Sequence, residues 1–217
     1  MHEELLFYFT KCVNAEYHHT ENDGSFALQR EGDLLYVLFE KSNGKTDWKS
    51  NLNFFPIRTA IPDGFCCHGG FFAVWSSILP YIEKELLSKE IKQITVIGYS
   101  HGGAIAAICH EYLYRKRSDI RESIFSYAFG APRVYFGTYR ENDEEWKNYT
   151  VIRNGKDIVT YLPPKFLFYR SVGNIIEIGK DFSFSPIEAH KKESYEKSLK
   201  ANCKAKFLWG KSRQEEI

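Results

Sequence analysis

Gly98-Tyr99-Ser100-His101-Gly102-Gly103 sets a serine between glycines at the spacing G-x-S-x-G. An apolar run, Ile94-Thr95-Val96-Ile97, precedes it, and a small-residue helical pattern, Ala104-Ile105-Ala106-Ala107-Ile108, follows. Strand, sharp turn and helix in that order force the turn residue into a strained backbone conformation and lift its hydroxyl above the sheet edge. The flanking glycines are small because strand and helix pass close together there. At the helix N-terminus, backbone amides and the helix dipole favour developing negative charge. A hydroxyl nucleophile beside such an anion site suits acyl transfer. By chance the pattern arises about 0.07 times in a chain this long, so an idle serine in a glycine-rich turn is the weaker reading.

A serine hydroxyl is a poor nucleophile near neutral pH. It needs an imidazole to take its proton and a carboxylate to hold the imidazole's tautomer. Where this turn bears the nucleophile, the acid and then the histidine follow it along the chain. Only His101, His110 and His190 lie beyond Ser100. His101 is its direct neighbour and cannot turn its ring back. His110 lies about two and a half turns along the same helix. His190 remains as the base. Asp157 is the matching acid: it directly follows the strand pattern Tyr149-Thr150-Val151-Ile152 and is flanked by Ile158-Val159 and Leu162-Pro163-Pro164. Asp143, Glu144 and Glu145 instead read as a solvated charged face.

The elements that must position these groups alternate. Residues 2–17 read as an amphipathic helix, and Ser25–Arg30 and Leu34–Phe39 as a hairpin turning at Glu31-Gly32-Asp33. A short strand is expected over 53–57. A helix is expected over 70–88, with Phe71, Trp75, Ile78, Ile82 and Leu86 on one side. Strands are expected at 92–98, 123–129 and 148–153 and a helix at 102–115. Residues 166–179 read as two short strands and 186–199 as a last helix. Phe166-Leu167-Phe168-Tyr169 reads as core strand rather than as a lipid-facing patch. This alternation implies an α/β fold, a mostly parallel sheet covered on both faces, in a single domain over residues 1–217.

With 29 Lys+Arg against 28 Asp+Glu the net charge is +1, which does not suggest nucleic-acid binding. The start of the chain lacks the basic segment of a secretory signal. The five cysteines, Cys12, Cys66, Cys67, Cys109 and Cys203, are odd in number and lack CxxC spacing. Free thiols and a cytoplasmic location are therefore expected. None of the five has the setting of a nucleophile. His68 reads as a structural histidine, since no second histidine or carboxylate stands at ligand spacing. No metal and no cofactor are implied.

These segments resemble the class 3 lipases, a family that includes fungal triacylglycerol lipases of the α/β-hydrolase fold. The elbow at 98–104 is similar to the family's G-x-S-x-G-G-A. Asp157-Ile158-Val159 with Leu162-Pro163-Pro164 resembles D-x-V-P-x-L-P-P. His190 with Tyr195 resembles H-x-x-x-x-Y, and His68-Gly69-Gly70-Phe71 resembles H-x-G-F. The resemblance implies a Ser100–His190–Asp157 triad that hydrolyses carboxylic esters of lipids through an acyl-enzyme. It also implies an oxyanion hole from Ser42 and from the backbone N–H of His101. One departure stands out: Glu40-Lys41 replaces the family's Arg-Gly ahead of the oxyanion serine. Residues 42–53 are short and polar, which predicts little or no lid. The partners implied are a lipid ester and transient contact with a membrane or micelle surface. The competing readings are a hydrolase-fold binding module without catalysis, and a phospholipase or thioesterase using the same triad.

Overall fold

In the computed structural model the described residues are 2–21, 24–40, 56–58, 66–137 and 144–201. Helix α1 (His2–Val13) leads into strands β1 (His18–His19), β2 (Ser25–Glu31) and β3 (Leu34–Phe39). Then come β4 (Pro56–Arg58), β5 (Cys66–His68), helix α2 (Gly69–Leu86), β6 (Gln93–Tyr99) and helix α3 (His101–Lys116). Strands β7 (Ile124–Phe129), β8 (Tyr135–Phe136), β9 (Tyr149–Asn154), β10 (Tyr169–Arg170) and β11 (Asn174–Ile178) complete the sheets. A closing helix, α4, runs over 192–201.

The main sheet has the order β1-β2-β3-β6-β7-β9-β11. From β3 to β11 every pairing is parallel, while β1-β2-β3 is antiparallel. Two-residue alternation divides the side chains between two cores. Leu35, Val37, Phe39, Val96, Ala128 and Val151 face α2 and α3. Tyr36, Leu38, Ile97, Phe129 and Ile152 face Leu5 and Phe9 of α1 and Tyr195 and Leu199 of α4. Burial on both faces is why β3 and β6 read as near-continuous apolar runs. A second, antiparallel sheet has the order β10-β8-β5-β4.

Several elements differ from the expectations. α1 stops at Val13, and Tyr17 folds back to donate to the Cys12 carbonyl at 2.6 Å. β5 carries no alternation long enough to announce a strand, and forms because β4 and β8 pair on either side of it. Residues 166–168 are not core strand. Lys165–Leu167 form a 3-10 turn, Phe168 takes a left-handed φ of 63°, and Phe166 and Phe168 are 79% and 61% exposed. Only Tyr169 of that run is buried.

Because β3, β6, β7 and β9 run parallel, their C-terminal ends share one edge, where sites of such sheets assemble. Glu40, Ser100, Gly130 and the turn to Asp157 all leave the sheet there.

Candidate active site

Ser100 sits between β6 and α3 with φ 59° and ψ −122°, a conformation that costs a non-glycine residue about 1–3 kcal/mol. Its N–H donates to the Phe129 carbonyl at 2.8 Å, and its own carbonyl accepts from Gly103 N–H at 3.0 Å. A Cβ on Gly98 would overlap the Gly102 carbonyl, and one on Gly102 would overlap that of Phe39. The glycines thus let helix and strands close on the strained residue.

Three further segments meet at this elbow. Ser100 Oγ lies 2.8 Å from His190 Nε2. His190 Nδ1 lies 3.0 and 2.9 Å from the two carboxylate oxygens of Asp157. Asp157 is fully buried. It caps the 3-10 turn Ile158–Tyr161, accepting from Val159 N–H through Oδ1 at 2.9 Å, and Oδ2 accepts from the Tyr195 hydroxyl at 2.7 Å. An acceptor-only carboxylate so surrounded makes Nδ1 the donor and leaves the Nε2 lone pair facing the serine hydroxyl.

His190 is not inside a helix, as the 186–199 pattern predicts. It ends a 3-10 turn, Glu188–His190, and Lys191 is extended before α4 begins. The break lets the imidazole reach over the sheet edge while Tyr195 on α4 reaches beneath it to Asp157.

The other candidates lie as follows. His101 opens α3, so its backbone N–H belongs to the first turn at the positive end of the helix dipole. Its ring packs edge-on against Phe71 at 5.2 Å, turned from the serine. Ser42, with Lys41 and the 42–53 segment expected to lack a lid, lies outside the described residues. His110 is held inside the protein by Ser126 Oγ at 2.7 Å and the Glu145 carbonyl at 2.8 Å. His68 caps α2, accepting through Nδ1 from Gly70 and Phe71 N–H. Cys12 and Cys67 are buried free thiols whose burial pushes them up to about 12, and burial raises Cys109 well above its usual range. Cys66 is a partly buried free thiol, and Cys203 lies outside the described residues.

Two contributors escape sequence reasoning. Gly130, with φ +61°, stands where a Cβ would lie 3.1 Å from Asp157 Oδ2 and 3.2 Å from His190 Cε1. Nothing in its neighbours marks that crowding. Asn154 donates through Nδ2 to the Ala189 carbonyl at 2.8 Å. Tyr195 is named by the H-x-x-x-x-Y resemblance, but its bond to Asp157 appears only in the structure.

A mostly parallel sheet, a strained serine between strand and helix, and the acid and histidine on later loops define an α/β-hydrolase fold. The chain belongs to the class 3 lipase family, whose profile, Lipase (class 3), matches residues 36–167. It is similar to a lipase of Rhizomucor miehei, 29% identical over 158 residues, covering 64% of this chain and 40% of that one. It is also similar to a secreted mono- and diacylglycerol lipase of Malassezia globosa, 30% identical over 129 residues, covering 58% and 40%. The chain thus spans about 40% of the length of these relatives. The fold is similar to that of the Rhizomucor miehei triacylglyceride lipase, with a TM-score of 0.68 and 22% identity over 82% of this chain and 80% of the other. It is likewise similar to lipase II of Rhizopus niveus, with a TM-score of 0.65 and 20% identity over 76% and 65%.

These relatives correct one expectation. Several are named as secreted, which points to an extracellular rather than a cytoplasmic location. The thiol argument fails for a physical reason: a buried free cysteine behaves as a small apolar side chain and does not report the redox state outside the protein.

Proposed function

We propose that this chain is a serine hydrolase of carboxylic esters, acting on acylglycerols from one catalytic domain, with Ser100, His190 and Asp157 as its triad. The observation that carries this reading is the unbroken hydrogen-bond chain from Asp157 through His190 to a serine in the strained elbow conformation. In a solved triacylglycerol lipase similar in fold, with a TM-score of 0.70, a serine protease triad forms the catalytic centre.

Ser100 Oγ attacks the ester carbonyl carbon as His190 Nε2 takes the hydroxyl proton. Asp157 stabilises the imidazolium and keeps its orientation. The carbonyl electrons move onto the oxyanion, which the His101 N–H receives at the positive end of α3. Ser42 is the second donor by family resemblance. Each such donor is worth roughly 2.7–4 kcal/mol in the transition state. The tetrahedral intermediate collapses, the C–O bond to the alcohol breaks, and His190 gives its proton to the leaving oxygen. Water then attacks the acyl-enzyme, passing a proton to His190, and release of the carboxylic acid restores the Ser100 hydroxyl.

Apolar side chains flank the triad as a lipid substrate requires. Ile158 and Ile187 are exposed beside Asp157 and His190, and their segments are joined by the Ile158 N–H bond to the Pro186 carbonyl at 3.2 Å. Phe166 and Phe168, beside the second sheet, are further exposed aromatic side chains suited to transient contact with a micelle or membrane.

Hydrolysis of p-nitrophenyl esters with acyl chains of two to sixteen carbons, by wild type and Ser100→Ala, tests the reading. Turnover that vanishes in the variant and favours longer chains is the expected result. A folded wild-type protein that turns over no ester and resists a fluorophosphonate would instead identify a binding module.

A further inference from the structure

His190 stands on a three-residue turn followed by one extended residue, and elements this short do not fix their own position. Side chains from three strand ends hold it. Asn154 at the end of β9 bonds the Ala189 carbonyl. Tyr99, the last residue of β6, donates its hydroxyl to the carbonyl of His190 itself. The Tyr99 ring also lies along the imidazole, with centroids 5.6 Å apart and planes 20° from parallel. Glu40, the first residue past β3, accepts from Lys192 Nζ, two residues beyond His190.

The Glu40 and Lys192 side chains are 12% and 44% exposed. An ion pair so placed adds little to overall stability. What it does fix is a separation: it ties the end of β3, which runs on to Lys41 and Ser42, to the turn that carries the histidine. Glu40 is also where this chain departs from the family's Arg-Gly. An arginine there would face Lys192, whereas glutamate attracts it, so the departure has a partner across the site. Burial raises the Tyr99 phenol above its ordinary range, and the carboxylates of Asp157, Glu193 and Glu40 raise it further. It therefore remains a hydrogen donor throughout the neutral range.

We propose that the Glu40–Lys192 pair and the Tyr99 hydroxyl are positioning groups for His190, forming a strap that ties the histidine turn to the ends of β3 and β6 and sets its approach to Ser100. The strap rests on the function proposed above. Its bonds run to the His190 carbonyl and to Lys192 rather than to the imidazole nitrogens. It acts on the geometry of proton transfer, where a misplacement of about 1 Å can cost on the order of a hundredfold in rate.

The test is a charge swap, read on a soluble short-chain ester so that lipid binding does not enter. Glu40→Lys and Lys192→Glu are each expected to lower kcat roughly tenfold, with KM changed less than about twofold. The double variant Glu40→Lys/Lys192→Glu should recover most of the loss. Tyr99→Phe keeps the stacked ring, loses the bond to the His190 carbonyl, and should lower kcat several-fold. Single variants with wild-type kcat, or a double variant as slow as the singles, overturn the strap. Thermal melts of all four separate positioning from folding: a loss of kcat that only tracks a loss of folded protein also overturns it. Should wild type show no Ser100-dependent turnover, the hydrolase reading fails by itself. The strap is then read from the downfield imidazole N–H resonance of His190, which Glu40→Lys must shift or broaden. An unchanged resonance overturns the strap.

Discussion

Besides the His19 Nδ1–Ser25 Oγ contact at 2.9 Å on the exposed strand β1, two serine–histidine pairs stand among the described residues, and their distances are nearly equal. In the first, Ser100 Oγ meets His190 Nε2 at 2.8 Å. In the second, Ser126 Oγ meets His110 Nδ1 at 2.7 Å. The distance between hydroxyl and imidazole therefore does not distinguish a reactive pair from a structural one. The other ring nitrogen does. His190 turns Nδ1 to the Asp157 carboxylate, which would stabilise the imidazolium in the proposed proton transfer from the serine. His110 turns Nε2 to the Glu145 carbonyl, a neutral acceptor, in a fully buried site. Burial holds the His110 imidazole down to about 4, partly offset by the bond to that carbonyl. It resists the positive charge that a general base must accept. The serines differ too. Ser100 is forced up at the elbow with a positive φ, while Ser126 lies within β7, paired with Val96 of β6 and Tyr149 of β9.

The sharpest way to break this comparison is to remove each hydroxyl. Ser100→Ala should lower ester turnover by roughly a millionfold, the scale of losing a triad nucleophile. Ser126→Ala should leave kcat within about twofold and cost about 1–3 kcal/mol in urea unfolding, since it strips a buried partner from His110. Equal losses of activity in the two variants would dissolve the distinction.

The acid comes next. Asp157→Asn replaces the carboxylate with an amide that can present its NH₂ to Nδ1 and reverse the histidine tautomer. A loss of about 10⁴ in kcat is expected, measured on the same esters. A loss below tenfold would mean that the carboxylate does not set the tautomer.

Acidification should separate the two histidines. His110 titrates lower in the folded protein than in the unfolded chain, so the unfolded chain binds its proton first as pH falls. Its contribution is complete above about pH 6.5 and drains away down to about pH 4, reaching about 3 kcal/mol in total. Urea unfolding of wild type and His110→Gln from pH 7.5 to 4.5 checks the sign: wild type should lose the more stability on acidification. Parallel curves would show that His110 does not enter this linkage.

A smaller loss of activity than at Ser100 or Asp157 is expected at Tyr195. Tyr195→Phe removes one of the donors to Asp157 but leaves Val159 N–H in place. We expect kcat to fall about tenfold and stability to fall by roughly 1.5–3 kcal/mol, as for loss of a bond to a charged group. An unchanged kcat with lowered stability would make the hydroxyl a fold contact alone.

Ser100, Asp157 and His190 were readable from the chain because each is tied to a local pattern. The serine needs glycines on both sides and a strand and helix around it. The acid follows an apolar strand and opens an apolar turn. The histidine is selected because its two competitors sit on the helix that Ser100 begins. The strands β6, β7 and β9 were readable for a related reason: burial on both faces demands long apolar runs. What stayed hidden depends on partners distant in sequence. β5 exists through β4 and β8, and Phe168 turns outward through a left-handed residue that no glycine announces. The break at Lys191 lies inside a helical pattern, where Asn154 and Tyr99 bond the carbonyls of Ala189 and His190.

The sequence alone determined the chemistry available to this protein: a strained serine, an imidazole, a carboxylate, and a parallel sheet to place them on one edge. Those follow from local sterics and periodicity, which act between near neighbours. Only the tertiary structure decided that, of the two inner serine–histidine pairs, the one at Ser100 faces a carboxylate. It also showed that a side chain at Gly130 would be strained and would crowd Tyr195, Asp157 and His190, and that Glu40 meets Lys192 across the site. Those outcomes rest on contacts between segments far apart in the chain, whose distances are set by packing.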